Sequence, residues 1–235
     1  MGDPTVSPLT RRDIAPAGRA LARAFQDDPL LRFLEPREAH RRRWLPALHG
    51  AHVRMTLGIG RVYGVRDDAG EVAGAICLAP PGTYPPGALR SAELVAGVMM
   101  QPTTPPPRLR DLIRGARYVM PLARLHPKLP HWYVVMVGVA PELQGLGAGR
   151  ALMGRAIDLA EADGLPLYLE TQTEKNVRFY ESRGFEVVEH LHPHPEGPPS
   201  WTMIRRSGLE VQVGGEPVRS EGWPRLRRRH HPPRA

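Results

Sequence analysis

The chain has 235 residues, of which 41% are hydrophobic and 24% charged. That balance can bury a core and excludes disorder throughout. Net charge is +8, from 32 basic and 24 acidic residues, which suits anionic partners without choosing among phosphate groups, nucleic acid and membrane surface. One cysteine, Cys77, excludes an internal disulfide framework and a Cys-rich zinc site.

The longest apolar stretch, Trp132 to Ala140, is about half of what a bilayer crossing needs. The first residues lack an apolar signal core, and Val6 stands where myristoylation requires Ser or Thr. The expectation is a reducing, cytoplasmic setting with no membrane partner. Cys77 lies in the apolar run Val72 to Ala79 and reads as a small buried hydrophobe.

In chain order, Asp13 is placed to N-cap a helix with Leu21, Ala24 and Phe25 on one face. That helix ends near Asp27-Asp28-Pro29, because proline disfavours helix at the preceding residue. A second helix runs from Pro36 to about Leu57. Gly60 to Val65 and Glu71 to Leu78 then flank a turn at Arg66 to Gly70 and read as a β-hairpin. After the Pro80 to Pro86 loop, two helical patches follow, about Ala88 to Met100 and Pro107 to Leu125. His131 to Val139 is apolar on both faces, as a central strand should be. A helix from about Ala148 to Ala162 precedes three further strands, Leu167 to Glu170, Phe185 to Leu191 and one from Trp201 closing near Arg206. The chain is thus a mixed α/β domain over residues 1–207. Residues 208–235 hold six Arg and three Glu and are expected to be a flexible, solvated basic tail, for which nucleic-acid binding is the lesser reading.

The chemistry concentrates after the central strand, in Gln144-Gly-Leu-Gly-Ala-Gly-Arg150. Glycines at 145, 147 and 149 allow conformations closed to other residues and let a ligand approach the main chain. A helix starts at once, so free amides gather at the positive end of its dipole, a geometry suited to a phosphate or diphosphate. Its opening turns hold no acid and carry Arg150 and Arg155 instead, which opposes the dipole unless an external anion sits there. No Gly-Lys-Ser/Thr follows, so this is no P-loop. The dinucleotide fingerprint fails too, since its third glycine would fall at Arg150.

At these residues the sequence resembles the GNAT superfamily of N-acetyltransferases. Its signature, Gln/Arg-x-x-Gly-x-Gly/Ala after the fourth strand, is matched by Gln144 to Gly149. His131-Trp-Tyr, Tyr168-Leu-Glu-Thr, Asn176-Val-Arg-Phe-Tyr-Glu-Ser-Arg-Gly-Phe185 and Gly197-Pro-Pro-Ser-Trp-Thr-Met look most like the branch containing puromycin N-acetyltransferase. The resemblance implies an α/β fold with a mixed, mostly antiparallel sheet of six or seven strands, flanked by helices and splayed between strands four and five. It implies acetyl-CoA as co-substrate, no metal, and acyl transfer to a primary amine of a small-molecule acceptor.

Carried onto this chain, the resemblance assigns Val137, Gly138 and Val139 to the pantetheine arm. It assigns Gln144, Gly145, Leu146, Gly147, Ala148, Gly149 and Arg150 to the cofactor's diphosphate. Asn176 would also touch the cofactor. Tyr180, one turn further along the helix, would be the general acid at sulfur, and Glu170 the general base, with Asp28 and His131 as rivals. The acceptor would enter past Phe25, Asp28 and Phe33. His190, His192 and His194 have a metal-like spacing that no Cys or acid completes. Such folds often form homodimers. The alternative function is a non-catalytic acyl-CoA sensor or scaffold.

Overall fold

The computed structural model describes residues 4–87 and 109–207, isolated positions between 90 and 96, and the segments Gln212–Val213 and Glu216–Pro217. The remainder of the helix expected from Ala88 to Met100, and the rest of the tail, lie outside the described residues.

Strand β1 (Val6–Pro8) leads through a 3-10 turn (Arg11–Asp13) into α1 (Ile14–Ala24). Asp13 does stand at the start of α1, but its carboxylate reaches back to the Thr10 amide and hydroxyl, at 2.8 and 2.9 Å, and across to Arg66 at 2.7 Å. A short helix that the sequence reading did not anticipate, α2 (Pro29–Leu34), follows. Asp28 caps it by accepting from the Leu30 and Leu31 amides at 3.0 and 3.1 Å, and Pro29 supplies the first helical φ. Next come α3 (Glu38–Ile59), then the expected hairpin of β2 (Arg61–Arg66) and β3 (Val72–Ala79). The chain continues with α4 (Leu109–Leu125), β4 (Trp132–Val139), α5 (Ala148–Ala162), β5 (Leu167–Thr171), α6 (Glu174–Glu181), β6 (Glu186–Leu191) and β7 (Ser200–Arg205). A separate two-residue ladder joins Gln212–Val213 to Glu216–Pro217.

The seven strands form one sheet in the order β1-β2-β3-β4-β5-β7-β6. Every neighbouring pair is antiparallel except β4 and β5. That parallel pair is joined only at Trp132↔Leu167 and Tyr133↔Tyr168, whereas β3 stays paired along β4 to Val139 and β7 along β5 to Thr171. Beyond Tyr133 and Tyr168 the two central strands therefore part and leave a wedge open through the sheet. The closed end is anchored by the Trp132 indole N–H, which donates to Asp163 at the end of α5, 2.8 Å away.

The sheet has two unlike faces. On one, α5 and α6 press Leu152, Met153, Ala156, Val177 and Tyr180 against Val134, Val139, Leu167, Leu169 and Met203. On the other, α1 and α3 cover Val62, Val72, Ala75 and Cys77 with Ala17, Leu21 and Val53. This burial drives the assembly. A bulge in β4 leaves Val135 without its own partner between Leu78↔Val134 and Cys77↔Met136. Gly138 faces α1, so close that a Cβ there would lie 2.7 Å from Phe25 and 3.0 Å from Ala24 and Leu21.

Helices α1 and α3 cross with main chain against main chain. A Cβ on Gly18 would sit 2.9 Å from both the Gly50 nitrogen and the Pro46 oxygen. Elsewhere in a helix, Gly→Ala stabilises by about 0.5–1 kcal/mol. At Gly18 the sign should invert, because two backbone segments must move apart: Gly18→Ala is expected to destabilise by about 1–3 kcal/mol in urea denaturation. A gain in stability would contradict this crossing.

Candidate active site

One lip of the wedge ends in the glycine turn. Gly145 and Gly147 have φ of +81° and +89°, the left-handed region that favours glycine. Gly149 is different: it lies within α5, where a Cβ would make only ordinary contacts with Phe179 and Val139 at 3.8 Å. The first helical bond runs from the Ala151 amide to the Gly147 carbonyl, 2.9 Å. The amides of Ala148, Gly149 and Arg150 precede it, no side chain caps them, and the first turn holds no acid. Donors left over in this way suit an anion. Gln144 closes the turn, its amide donating to the Val139 carbonyl at 3.0 Å. Leu146 is exposed at the tip.

Of the two arginines read as facing an anion, Arg150 is exposed beside the turn. Arg155 instead reaches β2, donating to the Tyr63 hydroxyl at 3.2 Å with its guanidinium 4.8 Å from the ring centre. A cation missed in the sequence takes its place. Arg183 lies over the Phe179 ring at 3.6 Å, and its pKa is lowered by burial and then by the nearby charge of Arg150.

Helix α6 is capped by Thr173, whose hydroxyl accepts from the Asn176 amide at 3.2 Å. The helix carries Asn176, exposed in its first turn, and Tyr180, buried one turn later. Tyr180 packs between Phe179 and Phe185, at ring distances of 5.3 and 5.6 Å. Burial raises its hydroxyl pKa well above the ordinary phenol value, against a smaller lowering by Arg183. The group therefore keeps its proton.

Glu170 is on the opposite face, because β5 alternates: Leu167 and Leu169 join the α5 core while Tyr168 joins Tyr133 and Ala79. Its carboxyl is pushed up to about 7 by burial, with a weak opposing donation from the Tyr168 hydroxyl at 3.4 Å. Its charge in turn acts on the hydroxyls of Tyr84, Tyr118, Tyr133 and Tyr168. Tyr84 and Tyr133 are 4.4 Å apart. His126 meets Tyr133 and Tyr168 edge-on at 5.0 and 5.3 Å. His131 Nδ1 lies 2.7 Å from the Leu129 carbonyl, to which it can donate, and its Nε2 lies 3.1 Å from His126 Nε2.

The three residues expected at the acceptor entrance lie on this same face, in different roles. Phe25 fills the space over Gly138 and tilts against buried His49 at 5.2 Å. Asp28 caps α2, and burial raises its pKa despite two amide donors. Its charge reaches the Tyr118 hydroxyl. Phe33 packs on Tyr118 at 5.8 Å and on His194 at 5.0 Å, beneath the Arg114 guanidinium. Tyr84, Tyr118, Tyr133 and Tyr168, which the sequence reading did not single out, bring Glu170 and the α2 region into one site.

Other sequence signals resolve elsewhere. His190 stacks on Trp201 at 4.4 Å and lies 5.7 Å from His192, while His194 tilts against Phe33 at 5.0 Å. Among the described residues no group of three His, Cys, Asp or Glu is placed to hold a metal ion. None of the described helices is long and apolar enough to cross a membrane. Cys77 is fully buried, its thiol pushed up to about 12 by desolvation. A groove of about 760 Å³ opens between α1, α3 and the turn after β4, near Arg19, Gln26 and Glu142, and contains neither Glu170 nor Tyr180.

The wedge, the glycine turn and the order of elements agree with what known proteins show. The Acetyltransferase (GNAT) family matches residues 21–185. The chain belongs to this family, whose members use acetyl-CoA as co-substrate. An uncharacterised N-acetyltransferase of Schizosaccharomyces pombe is 41% identical over 61 residues, which cover 26% of this chain and 25% of that protein. The alignment thus spans about a quarter of that relative's length. A Corynebacterium glutamicum structure described as histone acetyltransferase HPA2 and related acetyltransferase has a TM-score of 0.62 at 23% identity, over 88% of this chain and 98% of that one. Arylalkylamine N-acetyltransferase 2 of Aedes aegypti has 0.55 at 13% identity, over 87% and 99%. At such identities the likeness is one of fold.

The raised carboxyl pKa has a stability consequence. A glutamate in the unfolded chain ionises near 4.5 and Glu170 near 7. The stability tied to its neutral form is full below pH 4.5 and is lost as pH rises through about 7. Glu170→Gln, neutral at any pH, should therefore raise Tm over wild type at about pH 8 and leave it nearly unchanged at about pH 4. An equal shift at both would contradict a desolvated carboxyl.

Proposed function

We propose that the chain is an acetyl-CoA-dependent N-acetyltransferase that passes the acetyl group directly to a primary amine of a small molecule, within a ternary complex. The observation that carries this is the wedge between β4 and β5, with protonated Tyr180 on one side and desolvated Glu170 on the other. Residues 1–207 form the catalytic unit, in a cytoplasmic setting, and residues 208–235 an appended basic tail. Within the superfamily we read the chain as nearest the puromycin N-acetyltransferase branch, on the ordered segments from His131 to Met203.

The edge of β4 that β5 does not pair, at Val137 to Val139, would carry the pantetheine arm. The amides of Ala148 to Arg150, with Arg150 and Arg183 alongside, fit the diphosphate. Gly145, Gly147 and Gln144 shape that turn, Leu146 flanks it, and Gly149 keeps its floor open. Asn176 would meet the cofactor on the α6 side. Acetyl-CoA supplies the activated acyl group.

The remaining steps belong to side chains of this protein. An ammonium has no lone pair, so Glu170 must take the amine's proton. The amine nitrogen then bonds to the acyl carbon, the carbon–sulfur bond breaks, Tyr180 O–H donates to the departing thiolate, and the second proton that the nitrogen sheds on becoming an amide restores the Tyr180 phenol. Holding both reactants in one cleft supplies proximity. Direct transfer also accords with Cys77, a buried thiol that titrates far above neutral pH and is no nucleophile.

Steady-state CoA release with a panel of amines tests the reading. The value of kcat/KM should rise with pH through about 7, tenfold per unit below it, as Glu170 loses its proton. Glu170→Gln should abolish that limb and lower kcat/KM by about 10²–10⁴-fold. Tyr180→Phe should lower kcat by about 10²-fold or more while calorimetric affinity for acetyl-CoA holds. Binding without turnover on any amine would favour the sensor alternative.

A further inference from the structure

Resting on the acetyl-transfer reading above, we propose that the acceptor is a compact cationic amine on an apolar or aromatic body, with no carboxylate beside its amino group. Tyr84, Tyr133 and Phe33 would grip the body, and Asp28 together with Glu170 would attract the ammonium and repel acidic acceptors.

Aromatic rings cluster around Glu170 and Asp28. The loop before residue 88 brings Tyr84, half-buried, onto Tyr133 at 4.4 Å. Phe33, also half-buried, stands on the other side against Tyr118 at 5.8 Å. Ring faces attract an ammonium and pack against hydrocarbon.

Among the described residues, two carboxylates act on these rings. Glu170 acts on the hydroxyls of Tyr84, Tyr118, Tyr133 and Tyr168, and Asp28 on that of Tyr118. Of the described basic groups beside these rings, Arg114, His126 and His131 are engaged. Arg114 donates to the Leu34 carbonyl at 2.8 Å and to Asp111 at 3.1 Å while lying over Phe33. His126 and His131 share their Nε2 contact and are held neutral chiefly by burial. Arg90, against Gly58, and Lys128 are exposed. An amino-acid carboxylate entering here would meet like charge without a buried partner, whereas an ammonium would meet two carboxylates and ring faces.

Matched acceptor pairs that differ only in the α-carboxylate supply the test: phenethylamine against phenylalanine, and tyramine against tyrosine. Wild type should favour the amine by about 100-fold or more in kcat/KM. Asp28→Asn keeps a good helix cap and removes the charge; it should raise the amine's KM and narrow that ratio. Tyr84→Ala should raise the amine's KM about tenfold with kcat and acetyl-CoA affinity retained, a split that loss of fold would not produce. Equal use of both pair members, an unchanged ratio in Asp28→Asn, or acetyl-CoA binding with no turnover of either member overturns this inference alone. No acetyl-CoA binding by calorimetry overturns the acetyl-transfer reading as well.

Discussion

Two parallel strands that pair at only two positions set the terms for everything else. A central gap in a sheet is expensive, because main-chain donors and acceptors lose their partners there. Here the gap is framed rather than relaxed. β4 is paired to β3 along its length, β5 to β7 along its own, and Trp132 ties the closed end to Asp163. Neither strand can move to close the wedge without breaking a ladder on its other side. The unpaired groups are left for a ligand, which turns a cost in folding into affinity.

Desolvation acts on both sides of that gap, and with useful consequences in each case. Burial disfavours whichever form of a group is charged. For Tyr180 this secures the neutral phenol that a proton donor needs. For Glu170 it moves the carboxyl from the ordinary 4.5 to about 7, so that it is both available as a base and basic enough to take a proton near neutrality. The same burial disfavours the charged forms of His126 and His131 beside Glu170.

What the sequence makes legible follows from how local each signal is. The run from Trp132 to Val139 is apolar on both faces and proves central; α5 begins at Ala148 because glycines end just before it. Strand β1 is three residues long and ends in proline, too short for alternation to show. Pro29 ends the preceding helix, yet Asp28-Pro29 is equally a cap and first turn, and α2 starts there. The site divides along the same line. Gly145, Gly147, Glu170 and Tyr180 announce themselves through neighbours in sequence. Tyr84, Tyr118, Tyr133 and Tyr168 belong to four separate segments, and only the fold brings them to one carboxylate. Arg155 erred in the other direction: its partner, Tyr63, lies 92 residues away, beyond any local pattern.

The bulge at Val135 links the two halves of the site. With unbroken alternation, the face that carries Tyr133 would next carry Val135, Val137 and Val139, and Gly138 would turn toward α5. One extra residue reverses this: Val135 and Met136 both pack toward α1 and α3, while Val137 and Val139 pass to the α5 core. Gly138 thereby meets Phe25, where any side chain would collide, and α1 can lie flush on β4. Tyr133, before the bulge, keeps its place beside Tyr168 and Glu170. The irregularity falls just after the last β4–β5 pair, so the step that opens the wedge also seats the helix leading to Asp28 and Phe33. The face that carries Glu170 and the open part of the wedge are therefore positioned by one feature of one strand.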